Sequence, residues 1–388
     1  MLAVLAPGQG SQKPGFLAPW LAEPVASARL RWWSALCGLD LTHLGTEADA
    51  DEIKDTARTQ PLLVAAALLA AERLPLAEGT PVVVAGHSVG ELAAAGVAGV
   101  LNPDAAITFA AVRGREMAAA CAIEPTGMAA VLGGDEEEVL AAMDAAGVFP
   151  ANRNGAGQIV AAGSTTGLEK FVADPPARTR VIPLQVAGAF HTAYMRPAET
   201  ALAAVAAGIT PADAHRILLS NFDGTAVSSG AEMLRRLVAQ VTAPVRWDLC
   251  MATMVDLGVT AVIELPPAGT LAGLAKRAMK GVEIVTVNTP DDLAAAHDLI
   301  ARHAPTPTHE PTPHFSVVVA SATGNFVPAD GIDEGSPVRA GTVIGQVTTR
   351  QGPVDIAAHT AGVLTEWLAH HDDPVAPGQP VAMIGDTP

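Results

Sequence analysis

Positive charge is what this 388-residue chain has little of: 23 Lys and Arg stand against 40 Asp and Glu, a net charge of −17 at neutral pH. That excludes a nucleic-acid binder, because neutralising phosphates needs clustered basic side chains. Cysteine is scarce as well. Cys37, Cys121 and Cys250 are odd in number and far apart, which excludes a disulfide framework and points to a reduced, cytoplasmic setting. No stretch reaches 18 residues without a polar break, and Met1-Leu2-Ala3-Val4 lacks the basic start of a signal peptide. Neither a membrane span nor a secretory leader is expected. Aromatic residues make up 4% against 49% apolar residues overall. Alanine and glycine therefore carry much of the apolar content, which suits helices packed closely on a sheet around a sizeable core. The length predicts two or three domains.

The pattern that is present alternates short buried strands with helices. Residues 4–6, 82–85, 262–265 and 284–287 read as strands, and residues 61–74 and 92–100 as helices, the first opened by Pro61. This predicts an α/β parallel-sheet core of the α/β-hydrolase type. Residues 127–186 break the rhythm, reading strand, helix, strand, helix, strand, the size of a small ferredoxin-like α+β lobe inserted in the main sheet. A ligand cleft is expected between the two. The predicted domains are 1–303, then a linker at 304–313 with four prolines in ten residues, semi-rigid and extended, then 314–388. This last part has no lysine and consists of β-like runs with Gly/Pro turns. Within it Ser336-Pro337-Val338-Arg339-Ala340-Gly341 is echoed by Asp373-Pro374-Val375-Ala376-Pro377-Gly378. Two equivalent halves predict an all-β, pseudo-symmetric barrel-sandwich.

The chemistry centres on Gly86-His87-Ser88-Val89-Gly90. By composition, a chance Gly-x-Ser-x-Gly is expected about 0.1 times in this chain, so the placement between a strand and a helix is what marks a nucleophile elbow. The helix behind it offers free N–H groups and a positive dipole end to an oxyanion. A serine hydroxyl needs a base within reach. His87 leaves the elbow in another direction, and His370-His371 lie in another domain beside Asp372-Asp373. His191, in Ala189-Phe190-His191-Thr192, follows the inserted lobe where the chain re-enters the cleft. It has no obvious acid partner, so a backbone carbonyl is the expected orienting group. The turn Gly8-Gln9-Gly10-Ser11-Gln12 after the first strand is either an ordinary βα turn or the source of an oxyanion N–H. Arg113 borders the apolar face of a helix over 103–121 and needs an anionic partner, either a protein carboxylate or a substrate carboxylate.

These segments, with Asn152-x-Asn154-x-x-x-Gln158, Ser220-Asn221-x-Asp223-Gly224 and Ala243-Pro244-Val245-x-Trp247, come in an order that closely resembles the malonyl-CoA:acyl carrier protein transacylase family over residues 1–290. The resemblance implies a Ser88 nucleophile, a His191 base, an oxyanion hole from the N–H groups of Gln9 and Val89, and Arg113 for the malonyl carboxylate. It implies that the main-chain carbonyl near Gln240 orients His191 and that Phe190 goes with malonyl rather than methylmalonyl units. The implied activity is an [acyl-carrier-protein] S-malonyltransferase of fatty-acid or polyketide synthesis, with coenzyme A and acyl carrier protein as partners, no permanently bound cofactor and no metal. Ala243 stands where the family usually has Asn, and Pro266-Pro267-Ala268 departs from its usual Gly-Pro-Gly loop.

Two other readings share these residues. Arg113 and the missing acid partner count against a serine thioesterase or hydrolase on acyl-CoA. The intact Ser88, His191 and Arg113 set counts against a scaffold subunit with degenerate activity. Carrier proteins are acidic and so is this chain, net −10 over residues 1–304 and −7 over 305–388. Docking therefore needs a local basic patch, with Arg235-Arg236 or Lys276-Arg277 with Lys280 as candidates. Residues 315–386 resemble the biotinyl/lipoyl carrier fold. The turn that carries the modified lysine in that fold falls at Arg350-Gln351-Gly352 here. No biotin or lipoate is expected, which leaves a structural module or one that docks another synthase component.

Overall fold

In the computed structural model of the protein, which describes residues 1–76, 80–304 and 315–385, Leu2–Ala6 is a strand apolar and buried at all five positions. A strand hidden on both faces belongs in the middle of a parallel sheet. It pairs in parallel with Val82–Gly86, in register from Leu2 opposite Val82 to Ala6 opposite Gly86, and on its other side with Ala261–Glu264. Ile217–Leu218 and Glu283–Thr286 extend the sheet at its two edges, again in parallel. Helices Thr56–Ala71, Gly90–Val97 and Pro103–Cys121 bury against this sheet and one another through alanines and leucines. The helix expected over 61–74 starts earlier than Pro61. Its N-cap is Asp55, whose side chain accepts the Ala57 N–H, and Pro61 lies inside it.

The lobe is a second, mostly antiparallel sheet. It runs strand Thr126–Gly133, helix Glu136–Ala146, strands Phe149–Gly155 and Gln158–Ser164, helix Thr165–Ala173, strand Thr179–Leu184. Phe149–Gly155 is an addition to the expected pattern. Register shifts at Pro150/Asn152 and Arg153/Gly155 interrupt its ladder. Its outer neighbour comes from outside the lobe: Val245–Arg246 pairs with it in parallel, Val245 opposite Asn152.

The chain divides into two compact units, Met1–Pro307 and Thr308–Pro388. The proline-rich stretch at 305–313 lies outside the described residues. The second unit is two four-stranded antiparallel sheets over one core that includes Phe326, Ile344, Val347, Leu364, Val381 and Ile384. The two halves of the repeat take equivalent places. Pro337–Val338 forms the edge of one sheet and Pro374–Val375 the edge of the other. Arg350 and Gln351 form the exposed turn between strands Val343–Thr349 and Gly352–Ala357.

Candidate active site

Gly86 ends the central strand, and Ser88 turns the chain at a left-handed φ of 54° before helix Gly90–Val97. Both glycines are sterically required. A Cβ on Gly86 would stand 2.0 Å from the Gly90 carbonyl oxygen, and one on Gly90 would stand 2.2 Å from that of Ala6. The His87 N–H donates to the Ala6 carbonyl at 3.0 Å, which ties the elbow to the first strand and brings the Gly8–Gly10 turn beside it. The serine thus sits at the carboxyl ends of parallel strands, where α/β sheets bind ligands.

Ser88 Oγ lies 2.7 Å from His191 Nε2. His191 Nδ1 lies 2.9 Å from the main-chain carbonyl of Gln240, so the proton belongs on Nδ1 and Nε2 is free to accept from the hydroxyl. Burial, with the Arg113 charge second, pushes the imidazole down to about 3. The ring is neutral at working pH, which is the form that takes a proton. His191 also holds a left-handed φ, 59°.

Arg113, on helix Pro103–Cys121, is 1% exposed. It lies deeper than the bordering position its spacing implied. Its direct partners are two neutral carbonyls: Nη1 donates to Gln60 Oε1 at 2.6 Å and Nη2 to Gln240 Oε1 at 2.7 Å. Nη2 is also 3.4 Å from Ser88 Oγ. Burial lowers the guanidinium to about 10, opposed by the charge of Glu91, and it stays protonated. Gln240 thus serves twice, its main chain on His191 and its side chain on Arg113.

Three buried residues given no role from the sequence complete the network: Gln60, Glu91 and Asn221. Asn221 brackets the elbow, accepting the Ser88 N–H on Oδ1 at 2.8 Å and donating from Nδ2 to the Gly86 carbonyl at 2.7 Å. Glu91 accepts the Asn221 N–H at 2.7 Å and a short hydrogen bond from Gln240 Nε2, and burial pushes it up to about 7. Their signal was polarity out of place: Gln60 stands against a buried apolar run and Glu91 within a helix of small residues.

Ser88, His191, Gln9, Val89 and Phe190 line one cleft of about 480 Å³. The N–H groups of Gln9 and Val89 meet no acceptor among the described residues. Phe190 is 7% exposed and shares the cleft's apolar wall with Met117, Met128 and Val160. His87 turns to Asn154, Nε2 to Oδ1 at 2.9 Å, and packs edge-on to Trp247.

The basic candidates differ in kind. Arg235 pairs with Glu232, and Arg236 pairs with both Glu232 and Asp223. Lys276, Arg277 and Lys280 are exposed, with no ion pair among the described residues, and Arg277 lines the cleft. In the loop before them, the Glu264 carboxylate accepts the N–H groups of Gly269, Leu271 and Ala272 at 2.7–2.9 Å. Among the described residues no group of three His, Cys, Asp or Glu could hold a metal ion, and no helix is long and apolar enough to cross a membrane.

Comparison with known proteins supplies the family. The acyl transferase domain family matches residues 5–296. The malonyl CoA-acyl carrier protein transacylase of Mycobacterium tuberculosis is 56% identical over 296 residues, 76% of this chain and 98% of that one. The crystal structure of MCAT from Mycobacterium tuberculosis superposes with a TM-score of 0.75 at 55% identity, covering 76% of this chain and 99% of the other. A type II PKS acyl-carrier protein in complex with its malonyl-transacylase, PlMCAT:AntF, matches with a TM-score of 0.72 at 32% identity over 76% of this chain and 99% of that one. With its elbow, its buried arginine and these relatives in hand, the chain belongs to the malonyl-CoA:acyl carrier protein transacylase family of acyl transferases.

Proposed function

We propose that Ser88 is the residue through which this enzyme moves a malonyl group from malonyl-CoA to the phosphopantetheine thiol of acyl carrier protein, in fatty-acid or polyketide synthesis. The observation that carries the reading is the placement of one hydroxyl against two groups, His191 Nε2 at 2.7 Å and Arg113 Nη2 at 3.4 Å. His191 takes the Ser88 proton as Oγ attacks the thioester carbonyl, help worth about 10²–10⁴-fold. The oxyanion is met by the N–H groups of Gln9 and Val89, each worth roughly 10²–10³-fold. The carbon–sulfur bond breaks, and coenzyme A leaves as its thiol with the proton from His191, giving malonyl-Ser88. The carrier thiol then gives its proton to His191, attacks the ester, and Ser88 recovers the proton. Each half-reaction exchanges one acyl bond for another, so no step calls on a cofactor.

Arg113 is the ligand of the free malonyl carboxylate, and Phe190 closes the acyl pocket against branched units. The Gln240 carbonyl is the orienting group that stands where an acid would in a triad. The exposed cations Lys276, Arg277 and Lys280 are the docking patch for an acidic carrier; Arg235 and Arg236 have their charge met by carboxylates. Residues 1–303 form the transacylase domain, with a ferredoxin-like lobe in an α/β-hydrolase-like body. Residues 314–388 form a biotinyl/lipoyl-like module without an attachment lysine, either structural or docking a further synthase component.

Intact-mass spectrometry after mixing with malonyl-CoA and with acetyl-CoA tests the reading. Malonyl addition to the wild type and none to Ser88→Ala is expected, followed by release onto added holo carrier protein. A malonyl adduct on Ser88→Ala, or release to water at the same rate without carrier, overturns it.

A further inference from the structure

Among the described residues the buried cation Arg113 has no carboxylate in direct contact; it leans on the carbonyl ends of two glutamine amides. An amide has one accepting and one donating end, so something must decide which end of Gln240 faces the guanidinium. The nitrogen end is fully engaged. Gln240 Nε2 gives its two hydrogens to Glu91 Oε2 and to the Ser88 carbonyl at 3.1 Å, with Asn221 Oδ1 a further acceptor 3.4 Å away. The other Glu91 oxygen, Oε1, accepts the main-chain N–H of Asn221 at 2.7 Å, a donor that no rotamer change can reverse. The hydrogen bonds therefore run in one order: Asn221 and Gln240 both donate to Glu91, and Arg113 donates to Gln240. Only a side chain that accepts at both oxygens permits it, which Glu91 does as the carboxylate, its form above about pH 7. Glu91 is 1% exposed and Gln240 4%, so no water stands in for a lost partner.

We propose that Glu91 is a selectivity-determining positioning residue, whose two accepting oxygens turn the carbonyl end of the Gln240 amide toward Arg113 and so keep the guanidinium aimed at the free carboxylate of the acyl group. The proposal rests on Arg113 being the carboxylate ligand. Glu91 touches no substrate atom and acts through Gln240. A glutamine of the same shape inverts the order. Its carbonyl oxygen stays on the Asn221 N–H, its nitrogen is left facing Gln240, and Gln240 must answer with its own carbonyl. Gln240 Nε2 is then forced against Arg113, donor against donor.

The test loads wild type, Arg113→Ala, Glu91→Gln, Glu91→Asp and Glu91→Met with malonyl-CoA and acetyl-CoA in single turnover. A neutral aryl sulfonyl fluoride, which needs Ser88 and His191 but no carboxylate ligand, labels the same proteins. For Glu91→Gln the malonyl-to-acetyl ratio is expected to fall roughly tenfold or more while labelling stays within about threefold. Glu91→Asp, which keeps two accepting oxygens, holds the ratio within about threefold of wild type. Glu91→Met removes the constraint without inverting it and falls between the two, so it carries the test if Glu91→Gln does not fold. A ratio within about twofold of wild type in a folded Gln or Met variant overturns the proposal, as does labelling that falls in step with malonyl loading. Arg113→Ala separates the two claims. If it keeps the malonyl preference, the reading of Arg113 has failed; if it loses the preference while Glu91→Gln retains it, only the role of Glu91 has.

Discussion

Nη2 of Arg113 stands 3.4 Å from Oγ of Ser88, so on the proposed roles the charge for the far end of an acyl group and the atom that attacks its near end are almost in contact. That spacing suits a carboxylate one carbon from the thioester carbonyl. Replacing Arg113 by Ala is expected to lower malonyl loading roughly 10²- to 10³-fold, the size of a lost buried ion pair, while acetyl loading holds or rises. Single-turnover loading rates with the two thioesters measure both.

The stability of the protein between pH 4.5 and 6.5 should reflect two buried groups working in opposite directions. Glu91 is raised from 4.5 to about 7 by burial. The folded protein holds that proton more tightly, so this contribution is present below pH 4.5 and lost as pH rises through 7. His191 is lowered from 6.5 to about 3 by burial and then by Arg113, so its contribution is present above 6.5 and lost as pH falls toward 3. Relative to wild type, Glu91→Gln should gain stability with rising pH across this window and His191→Gln should lose it, each with a slope approaching about 1.4 kcal/mol per pH unit. Urea unfolding at several pH values gives the two slopes, and parallel slopes would refute the assignment.

Charge reversal should separate the two basic clusters. Lys276→Glu and Lys280→Glu are expected to raise the KM for carrier protein about fivefold or more at low ionic strength, with the difference shrinking as salt is added. Arg235→Glu, whose wild-type charge is already met by Glu232, should move that KM by less than about twofold. Steady-state transfer at two salt concentrations is the measurement.

The match covers 98% of the Mycobacterium tuberculosis relative, and among the described residues the first unit's hydrophobic clusters contain none beyond 304. A chain ending at Ala304 is therefore expected to fold and to take up malonyl within about threefold of the full-length rate. Loss of loading on truncation would show that the β-module takes part in the acylation step itself.

The neighbouring pair Ser88 and His191, proposed to react, is legible in the sequence because its signals are local. An elbow is a strand, two glycines and a helix within a few residues, and His191 follows the lobe's last strand. The supports were not legible because they depend on pairings made at long range. Glu91 and Asn221 are 130 positions apart in the chain, and neither carries a spacing that betrays the contact. Helix Thr56–Ala71 was misjudged because proline is favoured in a first turn, whereas the capping side chain is that of Asp55. Strand Phe149–Gly155 does not show in the sequence because two register shifts break the alternation that marks a strand.

The strand Val245–Arg246 links the parts of the site mechanically. It lies five residues past Gln240, whose carbonyl holds His191 and whose amide holds Arg113, and it is hydrogen-bonded into the lobe at Asn152 and Arg153. A lobe that swung outward to admit a bulky acyl chain would pull on the same stretch of backbone that holds His191. Widening the cleft is therefore expected to come at the expense of the Ser88–His191 alignment, so that an oversized acyl group would work against its own transfer.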